Sequence, residues 1–167
     1  MPTYLIIGNI FSLFSAICIA ISVLKKNKKD LIWWQIIDII FCILSNIALY
    51  TYSAITTNSI ALIRNFLAYK NKLTKKMTWI LFVLCVFAGL WANNRDVIGL
   101  FPIVASASYT VFMFTTKDEQ QMRWALVSNL ILWFVHDVYV QAYPSALADA
   151  TLGVWTGVQA FINRRRL

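Results

Sequence analysis

Among the side chains with hydrogen-bonding or ionisable groups inside otherwise apolar runs, eight are candidates for chemistry: Asp38, Asn46, Asn58, Arg64, Trp133, His136, Asp137 and Trp155. Such groups are costly in hydrocarbon, so each needs a partner or a watery cavity. Asp38 lies about seven residues, or ~10 Å at 1.5 Å per residue, from one end of its apolar run, and Arg64 lies at a similar depth in the next. The spacing predicts an ion pair between them, serving either as a structural clamp or as a gate. His136 and Asp137 are adjacent, about 100° apart on a helix, so one is expected to face a cavity and the other a neighbouring helix. A histidine there offers proton relay near neutral pH or contact with a solute; as a structural group it would only be a hydrogen-bonded core residue. Trp133 and Trp155 fall near mid-run, where an indole can stack on a ring and donate one hydrogen bond, or simply pack. Asn46 and Asn58 add amides, and together with Trp133, His136, Asp137 and Trp155 they form the expected solute-binding set. Ser106, Ser108 and Tyr109 extend it as polar lining. Gly153 and Gly157 are expected to permit close helix packing.

Nothing else in the chain looks catalytic. There is no paired-acid motif, no HExxH, no nucleophile beside a base and no phosphate-cradling glycine loop, so the chain is read as a non-enzyme without cofactor. Cys18, Cys42 and Cys85 all sit in apolar runs with no CxxC spacing, and there is one histidine, which argues against a disulfide framework or a metal site.

These side chains must be positioned by helices in a membrane. Of 167 residues, 60% are hydrophobic and 13% charged, more apolar surface than a soluble domain of this size could hide. Seven apolar segments can be read, at residues 3–24, 31–52, 54–69, 77–92, 97–116, 122–141 and 145–162, the third and seventh being the most diluted by polar residues. The predicted fold is all-α, with seven transmembrane helices. The first segment has no positive charge before it and KKNKKD after it, the reverse of a secretory signal. The net charge of +8 lies in short clusters between the runs, which points to membrane topology and away from nucleic acid. Lys25, Lys26, Lys28, Lys29, Lys70, Lys72, Lys75, Lys76, Lys117, Arg123, Arg164, Arg165 and Arg166 would share one side, with only Arg95 beside Asp96 on the other. The basic side is expected in the cytoplasm, with the N-terminus outside. Omitting either diluted segment would move a basic cluster to the wrong side.

The halves resemble each other. A shift of 91 residues lays Ile7-Gly8 on Ile98-Gly99, Ser15-Ala16 on Ser106-Ala107, Lys26 on Lys117, Trp33 on Trp124, Asp38 on Asn129, Ser45-Asn46 on His136-Asp137 and Tyr52 on Tyr143. Beyond Pro144 the shift is 92, with Ser53-Ala54 on Ser145-Ala146. The expected organisation is two parallel three-helix bundles, residues 1–70 and 95–167, joined by a linker helix in residues 71–94, a 3+1+3 plan.

This layout resembles the SWEET sugar transporters and the PnuC-type vitamin transporters, and the sequence looks most like the YgjV-type bacterial inner-membrane proteins. The resemblance implies the bacterial inner membrane and facilitative transport of a small polar solute (sugar, nucleoside or vitamin) by rocking of one bundle against the other. A non-transporting receptor or assembly partner on the same scaffold is the alternative. In the SWEET-like pattern an asparagine in the third helix faces the cavity, and Asn58 in TTNSI matches it. Its repeat mate is Ala150, with Asp149 beside it, and the proline–glutamine pair of many relatives is absent, since Ile103 follows Pro102. The expected partners are the lipid bilayer and the solute; a homo-oligomer is compatible with the pattern.

Overall fold

The computed structural model describes residues 2–25, 27–115 and 119–164. Lys26, Lys117, Arg165 and Arg166 of the charge pattern lie outside the described residues, and with them the Lys26–Lys117 repeat pair. The chain forms seven α-helices, α1 (Thr3–Leu24), α2 (Lys28–Ala48), α3 (Tyr52–Tyr69), α4 (Lys75–Trp91), α5 (Leu100–Thr115), α6 (Glu119–Tyr139) and α7 (Tyr143–Arg164), with no strand among the described residues.

Helix ends follow local chemistry. Asn27 starts α2 by accepting a hydrogen bond from the Lys29 amide on its side chain, and Thr74 does the same for α4 with the Met77 amide. α2 stops at Ala48 because Tyr50 turns into the left-handed region at φ 56°, where the Thr51 amide bonds back to the Asn46 carbonyl at 3.0 Å and the Tyr50 amide to that of Ile47 at 3.3 Å. α3 therefore begins at Tyr52, earlier than the sequence pattern places it. The same motif recurs 91 residues on. Gln141 sits at φ 63°, the Ala142 amide bonds to the Asp137 carbonyl at 2.8 Å and the Gln141 amide to that of Val138 at 3.3 Å. Residue 97 was expected to open the fifth helix. Instead Asp96 takes φ 47° while the Asn93 side chain holds the Arg95 amide and the Asp96 carbonyl, so a turn precedes α5 and the helix begins at Leu100. Pro102 and Pro144 fall in first turns, where a missing N–H costs nothing.

The helices pack as a ring. α1 meets α2, α2 meets α3, α3 meets α5, α5 meets α6, α6 meets α7, and α7 closes on α1. α4 stands outside this ring against α3 and α5. Its Gly89 makes that docking possible, because a Cβ there would lie 2.8 Å from Ile103 Cγ1 of α5 and 3.2 Å from Thr57 Cγ2 of α3. Leu81 and Cys85 of α4 complete a buried cluster with Ile60 and Ala107.

The burial pattern reverses that of a soluble bundle. Ser12, Ser15, Ser53, Thr57, Asn58, Arg64, His136 and Asp137 are buried, while Ile10, Phe14, Ile63, Phe87, Val104, Ile131 and Val154 face outward. Water would disfavour such an exterior, and hydrocarbon would accept it. Among the described residues, two helices are long and apolar enough to cross a membrane: Thr3–Leu24 and Lys29–Ala48. The remaining helices are shorter or carry the polar residues that face inward.

Two asparagines tie the ring together at one end. Asn9 of α1 donates to the Gln141 carbonyl at 2.9 Å and accepts from the Tyr143 amide at 3.1 Å, gripping the α6–α7 turn. Asn94, just before α5, donates to the Tyr50 carbonyl at 2.7 Å and accepts from the Tyr52 amide at 3.0 Å, gripping the α2–α3 turn. Tyr50 and Tyr52 are the positions that a 91-residue shift carries onto Gln141 and Tyr143. One turn is thus held from α1 and the other from the segment between α4 and α5.

Candidate functional site

The interior of the ring holds a cavity of about 130 Å³. Its walls repeat. Ser15, Gln35, Asp38, Ile39 and Cys42 line it from α1 and α2, and Ser106, Leu126, Asn129, Leu130 and Trp133, each 91 residues later, line it from α5 and α6. The spacing 35, 38, 39, 42 is one face of a helix, as is 126, 129, 130, 133. The anchoring matches as well. Ser15 Oγ donates to Asp38 Oδ1 at 2.6 Å between α1 and α2, and Asn129 Nδ2 donates to the Ala105 carbonyl at 2.8 Å between α6 and α5.

Asp38 and Arg64 both face this cavity but do not form the expected ion pair. Asp137 is instead partnered by its neighbour, with His136 Nδ1 2.8 Å from its Oδ1. Asp38 takes its donors from Ser15 and, at 3.7 Å, from Cys42 Sγ. Arg64 instead points across the α3–α5 seam. Nη1 donates to Thr110 Oγ1 at 2.9 Å, Nε donates to Asn65 Oδ1 at 3.2 Å, and the guanidinium lies 5.1 Å from the Tyr109 ring centre. A hydroxyl, an amide and an aromatic face thus surround the cation in place of a carboxylate. The residue is 5% exposed, so it does not reach for an outer surface either.

Of the expected solute-binding set, Asn58, Trp133 and Asp137 line the cavity. Asn58 is buried and its Nδ2 has no hydrogen-bond partner. Asp137 accepts from or shares a proton with His136 Nδ1 at 2.8 Å. His136 itself is fully buried behind the wall, edge-on to Trp133 with ring centres 5.6 Å apart, and its Nε2 is unpartnered. Asn46 is not on the cavity. Its Nδ2 donates to the Cys42 carbonyl at 2.8 Å and its Oδ1 accepts from Thr51, so its amide is spent on the α2–α3 turn. Trp155 is 57% exposed on the outer face of α7, because helical rotation turns position 155 away when Asp149 faces in. Ser106 and Tyr109 join the lining and Ser108 does not. Gly153 and Gly157 face α6 with room for a methyl, 3.8 Å from Leu130 Cβ and 3.9 Å from Val127 Cγ2, so packing there is ordinary.

Sequence reasoning passed over Gln35, Asn65 and Cys42, whose amides and thiol are unremarkable one at a time. The helical spacing through Asp38, laid on that through Asn129, was the signal that could have found them. Among the described residues no group of three His, Cys, Asp or Glu side chains converges as a metal would require.

The family model Imp-YgjV, described as a bacterial inner membrane protein, matches residues 6–165. No curated protein and no solved structure matches the chain.

Proposed function

Since the chain belongs to the Imp-YgjV family of bacterial inner membrane proteins, we propose that it is a facilitative carrier for a small polar solute such as a sugar, nucleoside or vitamin. One observation carries the reading: a polar cavity inside the ring, walled at matching positions by both halves of the chain. In this reading α1–α3 and α5–α7 are parallel bundles related by rotation about the membrane normal, and α4 is the linker that lets both enter the membrane in one orientation. All seven helices cross, with the N-terminus outside and the basic clusters inside. Solute sits against Asn58, Asp137 and Trp133, and one bundle rocks on the other at the α1–α7 and α3–α5 seams. Below the Asn9 grip, the α1–α7 seam carries small hydroxyl contacts, Ser12 Oγ to Ser145 Oγ at 2.8 Å, which can exchange without a large desolvation cost. No covalent chemistry or cofactor enters this scheme.

A non-transporting receptor on the same scaffold would need no polar interior. A cavity lined by aspartates, asparagines and an arginine favours the carrier. Counterflow tests it. Proteoliposomes preloaded with unlabelled solute should accumulate the labelled form of at least one member of a sugar, nucleoside and vitamin panel. Asn58→Leu should abolish that accumulation. Uniform absence of counterflow, with folded protein in the vesicles, would sink the proposal.

A further inference from the structure

We infer that the cavity is built for an organic ammonium group on a solute that also carries an oxygen acceptor; the inference rests on the cavity being the solute site. Three carboxyl groups line it, Asp38, Asp137 and Asp149, against one guanidinium, Arg64; Asp137 is hydrogen-bonded to His136, and Asp38 accepts from Ser15 and Cys42. Arg64 is already engaged with Thr110, Asn65 and the Tyr109 face, and among the described residues Asp149 has no hydrogen-bond or ion-pair partner. Within a membrane that imbalance is best relieved by a cation from outside the chain. A metal ion is a poor fit, because no three such groups converge on one point. Spread carboxylates suit a cation of some extent. Trp133 supplies an aromatic wall, the surface on which ammonium groups are held by the ring quadrupole.

The second, independent feature is Asn58. It is 5% exposed, lines the same cavity, and its Nδ2 is without a partner. A buried amide donor left unmade is costly unless something accepts from it. An oxygen on the solute would do so. Together these features describe a small molecule with an ammonium at one end and a hydroxyl or carbonyl oxygen at the other.

The same chemistry could come from a free solute or from an ethanolamine lipid headgroup, and the test separates them. The full chain is placed in nanodiscs of phosphatidylglycerol and titrated calorimetrically with choline, ethanolamine, tetramethylammonium, glucose and 3,3-dimethyl-1-butanol, which keeps the shape of choline with carbon in place of nitrogen. Choline or ethanolamine should bind, and the neutral isostere should bind at least about tenfold more weakly. Asp149→Asn should weaken the ammonium probes by on the order of tenfold. Asn58→Leu should weaken choline by a larger factor than tetramethylammonium, which has no oxygen. Equal binding of choline and its isostere, displacement by potassium as effective as by choline, or no binding of any ammonium probe to folded protein would each overturn the inference. Repeating the titration in phosphatidylethanolamine discs assigns the source. Binding that persists supports a free solute, and binding lost only there supports the headgroup. Counterflow of glucose without ammonium binding would refute this inference and leave the carrier standing. Ammonium binding without any counterflow would do the reverse.

Discussion

Arg64 illustrates what a buried cation needs. A guanidinium offers five donors in a plane; Thr110 and Asn65 accept from two of them and the face of Tyr109 lies beside the cation, with no carboxylate bonded to it. The expected partner, Asp38, is occupied by Ser15. Thr110→Val should therefore cost about 1.5–3 kcal/mol, the range for a hydrogen bond to a charged group, read as thermal unfolding of purified protein. The same loss should appear, within about 0.5 kcal/mol, in an Asp38→Asn background, because the two side chains share no partner. A loss that shrinks markedly in that background would restore a coupled pair. The tryptophans separate in the same way. Trp133→Leu should weaken solute binding, while Trp155→Leu, on the outer face, should leave it unchanged. Depth along a helix was readable from sequence for both residues. Rotation about the axis was not read for Trp155, because a tryptophan suits a lipid-facing position as well as a cavity wall and only its spacing from Asp149 separates the two.

At the scale of elements, all seven helices were legible as apolar runs, four of their six connections being marked by charge. Their ends were less so. Nothing in Leu49-Tyr50-Thr51 announces a turn: there is no glycine or proline, and Tyr50 takes a left-handed conformation that costs a non-glycine residue about 1–2 kcal/mol. The Schellman hydrogen bonds and Asn94 hold it there. Gln141 is the equivalent position with an exposed side chain, so Gln141→Gly should raise the melting temperature by the equivalent of about 0.5–1 kcal/mol and Gln141→Val should lower it. If both variants melt alike, the left-handed cap does not limit stability. For α4, Gly89→Leu should drive Ile103 and Thr57 apart and cost about 1–3 kcal/mol or more, detectable as the accessibility of Cys85 to a small maleimide.

For the molecule as a whole, sequence implies a doubled arrangement, and one set of positions bears on it. Alignment at a shift of 91 paired Asp38 with Asn129 and Ser15 with Ser106, and all four line the cavity. Which helices would touch across the seam was not legible, since α3 meeting α5 and α1 meeting α7 depend on where α4 is put. Topology has its own test. A cysteine replacing Val97, which is 67% exposed, should react with a membrane-impermeant maleimide in intact cells, and one replacing Lys72 should react only after permeabilisation. The opposite pattern would invert the proposed orientation.

The two asparagine grips also bear on how the chain is made. During synthesis Asn9 emerges more than 130 residues before the Gln141 carbonyl it holds, and the α2–α3 turn waits for Asn94. The early helices must therefore remain inserted with their polar faces unsealed until the last hairpin arrives. A ribosome stalled after α4 would leave Ser12, Asn9 and the acidic face of α2 open to the translocon or to an insertion chaperone. The nascent half should be a substrate for membrane proteases that the finished chain resists. Two separately expressed halves, cut in the 92–99 loop, should each be degraded alone and should accumulate only when made together.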